Sequence, residues 1–390
     1  MVYMSQPRYC RNPECPNAWN RTSNWFWRDG SYNTAAHGVV LRFRCKKCGK
    51  CLSEQTESMH YYAKRRLKLD KIWERIRGGA SLRDIARFSG CSRSAIANAV
   101  KRLGRQAIAC HCALLSGADA YSHFVFDGLV SAVASRDYTA HITTLVEAST
   151  EMVLAITHCI TERGGKKTKA QARRIAERAK HWRAKLRALT DAISLLVSEI
   201  PRFGSLLKGI HLNTDEFPLY PIALVQDLAL GWWAAHHRLQ VTTTPGSAPR
   251  TIANPLFPVN YVDRMIRHRV KEHTRESIAI GRNSTMQMYR MWIFAWDHNV
   301  GQPHRVKPAH DVCRAQKAGI SEKLIARLER EFYTRRRSVR DILVPESMRQ
   351  VWLGLLDTPP LRWRAERPEK QFRIPKYAKL DLSFAVPQAA

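Results

Sequence analysis

The stretch His211–Pro218 reads HLNTDEFP and follows the apolar, glycine-containing run 206–210. A short buried strand here ends in two acids, Asp215 and Glu216. Water solvates acids at a strand end at little cost, yet the C-terminal end of a strand is also where an open α/β sheet places its ligand-binding groups. Upstream, HFVFDGLV (123–130) alternates and reaches Gly128, which suits a strand. Its period of two puts Val125 and Asp127 on one face and Phe124 and Phe126 on the other. Asp127 thus lies inside an apolar strand, where a lone carboxylate costs several kcal/mol unless a cation compensates it.

Between and beyond these strands the chain alternates. AHITTLVEA and EMVLAITHCI continue the β-branched pattern, and 164–200 reads as one long basic helical segment without Pro before Pro201. GIHLNTD is the fourth strand, YPIALVQDLAL a helix, HRLQVTTT the fifth strand. Helices follow from Tyr261 to about His273 and over Ser284–Trp296. The order βββ-α-β-α-β-α-α implies a mixed sheet with helices on both faces. If the first and fourth strands pair in parallel, Asp215 lies beside Asp127. A divalent metal is the natural remedy for their repulsion. A third acid is expected from the helix after strand five. There Val262, Ile266 and Val270 form the apolar stripe and Asp263 lies on its edge. Glu272 falls on nearly the opposite side, so it ranks below Asp263, and Glu276 lower still. Three inward acids would form a two-metal phosphoryl-transfer site. Glu216 points the other way.

The whole chain has 390 residues, 45% of them hydrophobic, with 64 Lys and Arg against 33 Asp and Glu and a net charge of +31. Such length suggests two or three units, and such charge a polyanion partner, most often nucleic acid. No segment reads as an export signal or a membrane span, so a cytoplasmic, nucleoid-associated protein without a membrane role is expected. Ten cysteines in that setting argue for free thiols or metal ligands over disulfides. YCRNPECPN carries Cys10 and Cys15, and RFRCKKCGKC carries Cys45, Cys48 and Cys51. Two knuckles some thirty residues apart can set four thiolates around a structural Zn²⁺. Cys10, Cys15, Cys45 and Cys48 are the expected set, with Cys51 left over. Gly49 permits the tight second knuckle, and Arg42, Arg44, Lys46 and Lys47 would help keep thiolates deprotonated.

ASLRDIARFSGCSRSAIANAVKRLGRQA (80–107) has Leu82, Ile85 and Ala86, a turn at Gly90, a cap at Ser92, then Ile96, Val100 and Leu103 at helical spacing. This is a helix-turn-helix pattern, and Arg93, Ser94, Asn98, Lys101 and Arg105 would face DNA from its second helix. The basic segment 164–200 is a phosphate-contact candidate or equally a solvated surface helix.

With these residues in place the chain resembles bacterial insertion-sequence transposases of the DDE type. RFRCKKCGK, FDGLVSAV, NTDEFPLYPIAL and NPLFPVNYVDRMIRHRVKEHTRESIAIGRN carry the likeness. The resemblance implies a zinc ribbon over 1–60, a helix-turn-helix domain over 61–115, and an RNase H-like catalytic domain over 120–300. The last is an α/β fold with a mixed five-stranded sheet, flanking helices and a helical insertion at about 164–200. A C-terminal helical region ending in an extended tail would occupy 301–390. Such enzymes hold Mg²⁺ or Mn²⁺ on three acids, here Asp127, Asp215 and Asp263. They act as homo-oligomers on double-stranded element ends and target DNA. Where the family pattern has Glu followed by Asn or Arg/Lys, this helix has Asp263, with Asn260 before it and Arg267 and Lys271 after it as DNA-binding candidates. Rival readings are a catalytically inert DNA-binding regulator derived from a transposase and a nuclease without strand transfer.

Overall fold

The structure, a computed structural model, describes residues 6–20, 22–205, 207–275, 279–305, 312–337, 344–360 and 374–382. A single helical turn, α1 (Pro16–Trp19), precedes a small antiparallel sheet of β1 (Phe26–Thr34), β2 (Gly38–Cys45) and β3 (Cys51–Ser53), in that order. It has its own core of Cys10, Cys15, Ala18, Trp25, Cys45 and Leu52. Three helices follow: α2 (Leu69–Arg77), α3 (Leu82–Phe88) and α4 (Arg93–Leu115). Ser81 caps α3 by accepting from the Asp84 amide, and Ser92 caps α4 by accepting from the Ala95 amide, each at 3.2 Å. Between them Gly90 takes φ +56°, a left-handed turn that disfavours a side chain.

The main sheet contains β4 (His123–Val133), β5 (Ser135–Glu147), β6 (Val153–Glu162), β7 (Ile210–Asp215) and β8 (Leu239–Thr244), ordered β6-β5-β4-β7-β8. The first three strands form an antiparallel meander, while β7 is parallel to both β4 and β8. Three helices join β6 to β7: α5 (Lys169–Ala179), α6 (Ala188–Val197) and the one-turn α7 (Ile200–Phe203). The expected single helix over 164–200 is therefore broken. Arg187 sits at φ +62°, and Trp182 is drawn onto Tyr138 with its indole donating to Asp357 at 2.7 Å. Likewise the helix expected after β7 is two, α8 (Leu219–Gln226) and α9 (Leu228–Ala235). Asp227 ends the first and caps the second by accepting from the Leu230 amide. After β8 comes α10 (Phe257–Arg269), which starts earlier than expected because Pro258 suits a first helical turn. Next, α11 (Ser284–Trp296) runs into a π-helical turn, Asp297–Gly301.

The C-terminal elements are α12 (Arg314–Lys317), α13 (Glu322–Phe332), α14 (Glu346–Leu353) and α15 (Lys376–Leu382). The last was expected to be extended. It is helical, with Tyr377 and Ala378 buried and the Arg102 guanidinium 4.2 Å above the Tyr377 ring. Residues 383–390 of that expected tail lie outside the described residues.

One apolar core runs from Met59 through the three-helix unit and the main sheet to Ala378. At its centre lies the C-terminal half of α4, buried on every side from Leu103 to Leu114 and packed on α11 and α13. Gly104 is the closest approach. A Cβ there would run into the Cβ, Cγ and Cδ1 of buried Tyr289. Gly104→Ala should therefore destabilise the fold by about 1–3 kcal/mol through overpacking, outweighing the gain in helix propensity. Denaturant unfolding of the full chain checks this; equal or greater stability would mean the α4–α11 contact is looser than described. Asp297, also buried, bridges two units: it accepts from Arg77 of α2 and Arg269 of α10, both at 2.9 Å. The DNA-reading candidate and the helix bearing Asp263 are thus tied to one carboxylate. Among the described residues no helix is long and apolar enough to cross a membrane.

Candidate functional site

Two sites take shape, one from thiols and one from carboxylates. In the first, the α1 turn and the β2–β3 connection bring Cys10, Cys15, Cys45 and Cys48 together, all four Sγ atoms within 4.8 Å of one another. Cys10 and Cys48 are separated by 3.4 Å, Cys15 and Cys45 by 3.7 Å. Four thiolates about 2.3 Å from one tetrahedral ion stand roughly 3.8 Å apart, so this donor set fits Zn²⁺. Gly49 supplies the turn at φ +69°, its amide donating to the Cys45 carbonyl. Burial pushes the Cys10 and Cys15 thiols up. Burial acts on Cys45 too, but donation from Asn17 Nδ2 and the Lys47 and Cys48 amides outweighs it and brings that thiol down to about 6. The basic flank plays a different part from the expected one: Arg42 and Arg44 pair with Asp29 at 3.2 and 3.1 Å. Cys51 is exposed and stands outside the cluster, 3.9 Å from Asp29.

The second site lies where β4 and β7 part. Their ladder pairs His123 with His211, Phe124 with Leu212 and Val125 with Asn213, then stops. Extending that register by two residues sets Asp127 opposite Asp215. Both are partly buried. Asp127 Oδ1 accepts from the Gly128 amide at 2.6 Å, and Asp215 Oδ1 accepts from the Phe217 amide at 2.9 Å, fixing the turn into α8. From α10, which packs over β4 and β5, Asp263 faces the same place. The residue keeps some exposed surface, yet its Oδ1 is sealed from water and has no hydrogen-bond partner.

The charges report the proximity. Desolvation, reinforced by Asp215, lifts Asp127 to about 6 against the lowering pull of the Gly128 amide, Arg250 and the Tyr220 hydroxyl. Desolvation and then Asp127 raise Asp263 well above the ordinary carboxylate range, opposed by Arg267 and Arg250. Tyr220 is raised by burial and then by Asp127, Asp215 and Asp263 together. That tyrosine is a site residue the sequence reading did not single out. It lies in T-shaped contact with Phe126 at 4.7 Å and leaves 3.3 Å between its hydroxyl and a Cβ built on Gly128. Its position five residues after Asp215, one turn into the helix that β7 feeds, was the available signal. The acids are set wider than the thiols: among the described residues only the cysteines meet the 4.8 Å spacing. A sealed, partnerless carboxylate oxygen and two desolvated acids fit a divalent cation, which would relieve all three.

The remaining candidates divide. Arg267 donates to the His273 carbonyl at 3.2 Å and flanks Asp263, with burial lowering it first. Lys271 is exposed and packs its stem beside Gly79 of the α2–α3 connection. Arg93, Ser94 and Asn98 are exposed on the first two turns of α4, while Lys101 is half-buried. Arg105 must be corrected: it is 5% exposed, donates to the Trp352 carbonyl at 2.7 Å and to the Tyr377 hydroxyl at 2.8 Å, and therefore does not face DNA. Glu272 is sealed as well, one oxygen unpartnered and Arg290 3.9 Å away, but it faces α11. Glu276 lies outside the described residues.

No protein-family model matches the chain, and no curated protein does. Solved structures include matches, among them one chain of the simian T-cell lymphotropic virus intasome in complex with PP2A regulatory subunit B56 gamma. The likeness covers 53% of this chain and 57% of that one, at 10% identity and a TM-score of 0.28. At that score nothing in the reading of the site rests on it.

Proposed function

We propose that the chain is a DNA transposase: an RNase H-like polynucleotidyl transferase of the DDE kind, led by a zinc ribbon and a helix-turn-helix. One observation carries the reading. Asp127 and Asp215 fall in the same register on adjoining parallel strands, and the sealed oxygen of Asp263 meets them from α10. These three acids would hold two divalent cations, Mg²⁺ or Mn²⁺, which supply charge stabilisation at the attacking and leaving oxygens of an in-line displacement. In hydrolysis water attacks phosphorus and the P–O3′ bond breaks, freeing a 3′-hydroxyl. In strand transfer that hydroxyl attacks a target phosphodiester, and the target's 3′-oxygen leaves.

The chain's own groups prepare this. Tyr220 and the Gly128 amide hold Asp127 by hydrogen bonds, and Arg250 and Arg267 place positive charge beside the acids where a phosphate would enter. Arg93, Ser94 and Asn98 would read the duplex. The resemblance further implies a homo-oligomer, since both element ends are cut together. The test is a plasmid carrying the gene with its native flanks, incubated with the protein and Mg²⁺ or Mn²⁺. Nicks at paired ends together with joined products support the transposase. Nicks alone would make it a nuclease, and binding without cleavage a regulator.

A further inference from the structure

Between β6 and α6 the stretch 163–187 holds eleven Lys and Arg against one acid, Glu177. Its helix α5 contributes no buried residue to any core. An isolated 11-residue helix is unstable in water, so other contacts must order it. They are specific. A capping box joins Thr168 and Gln171. Asp137, almost fully buried, accepts from Arg178 at 2.6 Å and lies 3.5 Å from Arg174. Trp182 then stacks edge-on against Tyr138 at 5.1 Å. The inner side of the segment is thereby fixed to the start of β5. Its other cations, including Lys166, Lys169, Arg173, Arg183, Lys185 and Arg187, stay exposed.

The anchor also has a definite place. Asp127 pairs with Thr144, and Tyr138 lies six residues further along β5, toward the end of the sheet where β7 terminates in Asp215. At about 3.4 Å per residue that is some 20 Å from the acids. Duplex DNA advances about 3.4 Å per base pair, so the offset is roughly six base pairs.

We propose that α5 and the basic turn after it form a second, sequence-independent clamp, gripping the phosphate backbone of duplex DNA about half a turn from the scissile position. This rests on the reading of the chain as a DNA-handling enzyme. The charge is complementary to phosphate, and the exposed stripe is pinned in place instead of being left to solvent. A helix-turn-helix contributes base contacts as well; this surface offers long cations alone and so positions DNA without reading it.

The test uses the full-length, zinc-loaded protein with a random-sequence 30-base-pair duplex and no added divalent cation, so that binding is measured without cleavage. The fourfold variant Lys169→Gln, Arg173→Gln, Arg183→Gln, Lys185→Gln should flatten the slope of log affinity against log salt by about 3 to 4, since each lost phosphate contact removes about 0.9. A slope within about one of wild type overturns the clamp. So does an unchanged slope accompanied by lost binding to phosphatidylserine vesicles, which would assign the patch to a membrane surface. Asp137→Asn separates placement from bulk charge: it adds one positive charge but unties Arg174 and Arg178. Weaker DNA binding in that variant supports a placed clamp; tighter binding refutes it. A protein that shows the slope change but never cuts DNA loses the catalytic reading and keeps this one. A protein that cuts with an unchanged slope does the reverse.

Discussion

Asp127→Asn and Asp215→Asn should each lower metal-dependent strand cleavage by about 10³-fold or more while leaving duplex affinity equal or higher. The loss follows from what the carboxylates do. Each amide keeps the shape of its acid and the hydrogen bond to Gly128 or Phe217, but gives up the charge that holds a cation. Cation stabilisation of a phosphoryl transition state is worth several kcal/mol, and each 1.4 kcal/mol is tenfold in rate. Affinity moves the other way because a negative charge beside a phosphate is removed. The fold should tolerate both changes, since desolvation already disfavours the charged form of Asp127 and relieving it costs nothing. Cleavage at the wild-type rate by either variant would remove that acid from the site.

The second large effect concerns zinc. Chelation should unfold the N-terminal sheet and leave the main core standing. Structural zinc contributes roughly 10–16 kcal/mol in small zinc-finger peptides, far more than a core of six residues with Cys10, Cys15 and Cys45 among them can replace. The main core begins at Met59 and shares none of those residues. Cysteine alkylation reads this out. Exposed Cys51 labels in either state and serves as the control, whereas buried Cys10, Cys15 and Cys45 should label only after chelation. Protection of those three after complete metal removal would show that the unit folds without the ion. Loosening would spread to the far end of the chain through the buried Glu57, which accepts from the Arg8 amide at 2.9 Å and pairs with Arg335.

How much of this was readable in the sequence depends on how local its causes are. Strand alternation around Asp127, the Ser92 cap, the Gly90 turn and the paired cysteine knuckles are set by neighbours a few residues away, and their pattern survives in one dimension. Arg105 is different. Its spacing puts it on the polar side of a helix, but Trp352 and Tyr377, some 250 residues on, close over it. Nothing near position 105 announces them. The break between α5 and α6 is similar: no Gly or Pro marks it, and Trp182 leaves the helix for partners on β5 and at Asp357. Tyr220 stands between these cases. It follows Asp215 within one helical turn, yet its role depends on the ladder between β4 and β7 ending at Val125 and opening a gap its hydroxyl can reach.

The central claim is that Asp127, Asp215 and Asp263 together hold divalent cations. Electron paramagnetic resonance of Mn²⁺ added to the zinc-loaded, DNA-bound protein measures it without relying on turnover. Wild type should bind Mn²⁺ at sites that Asp263→Asn weakens and that the combined Asp127→Asn, Asp215→Asn, Asp263→Asn variant abolishes, with Glu272→Gln unchanged. Equal Mn²⁺ binding by wild type and the triple variant, or loss confined to Glu272→Gln, would contradict the account.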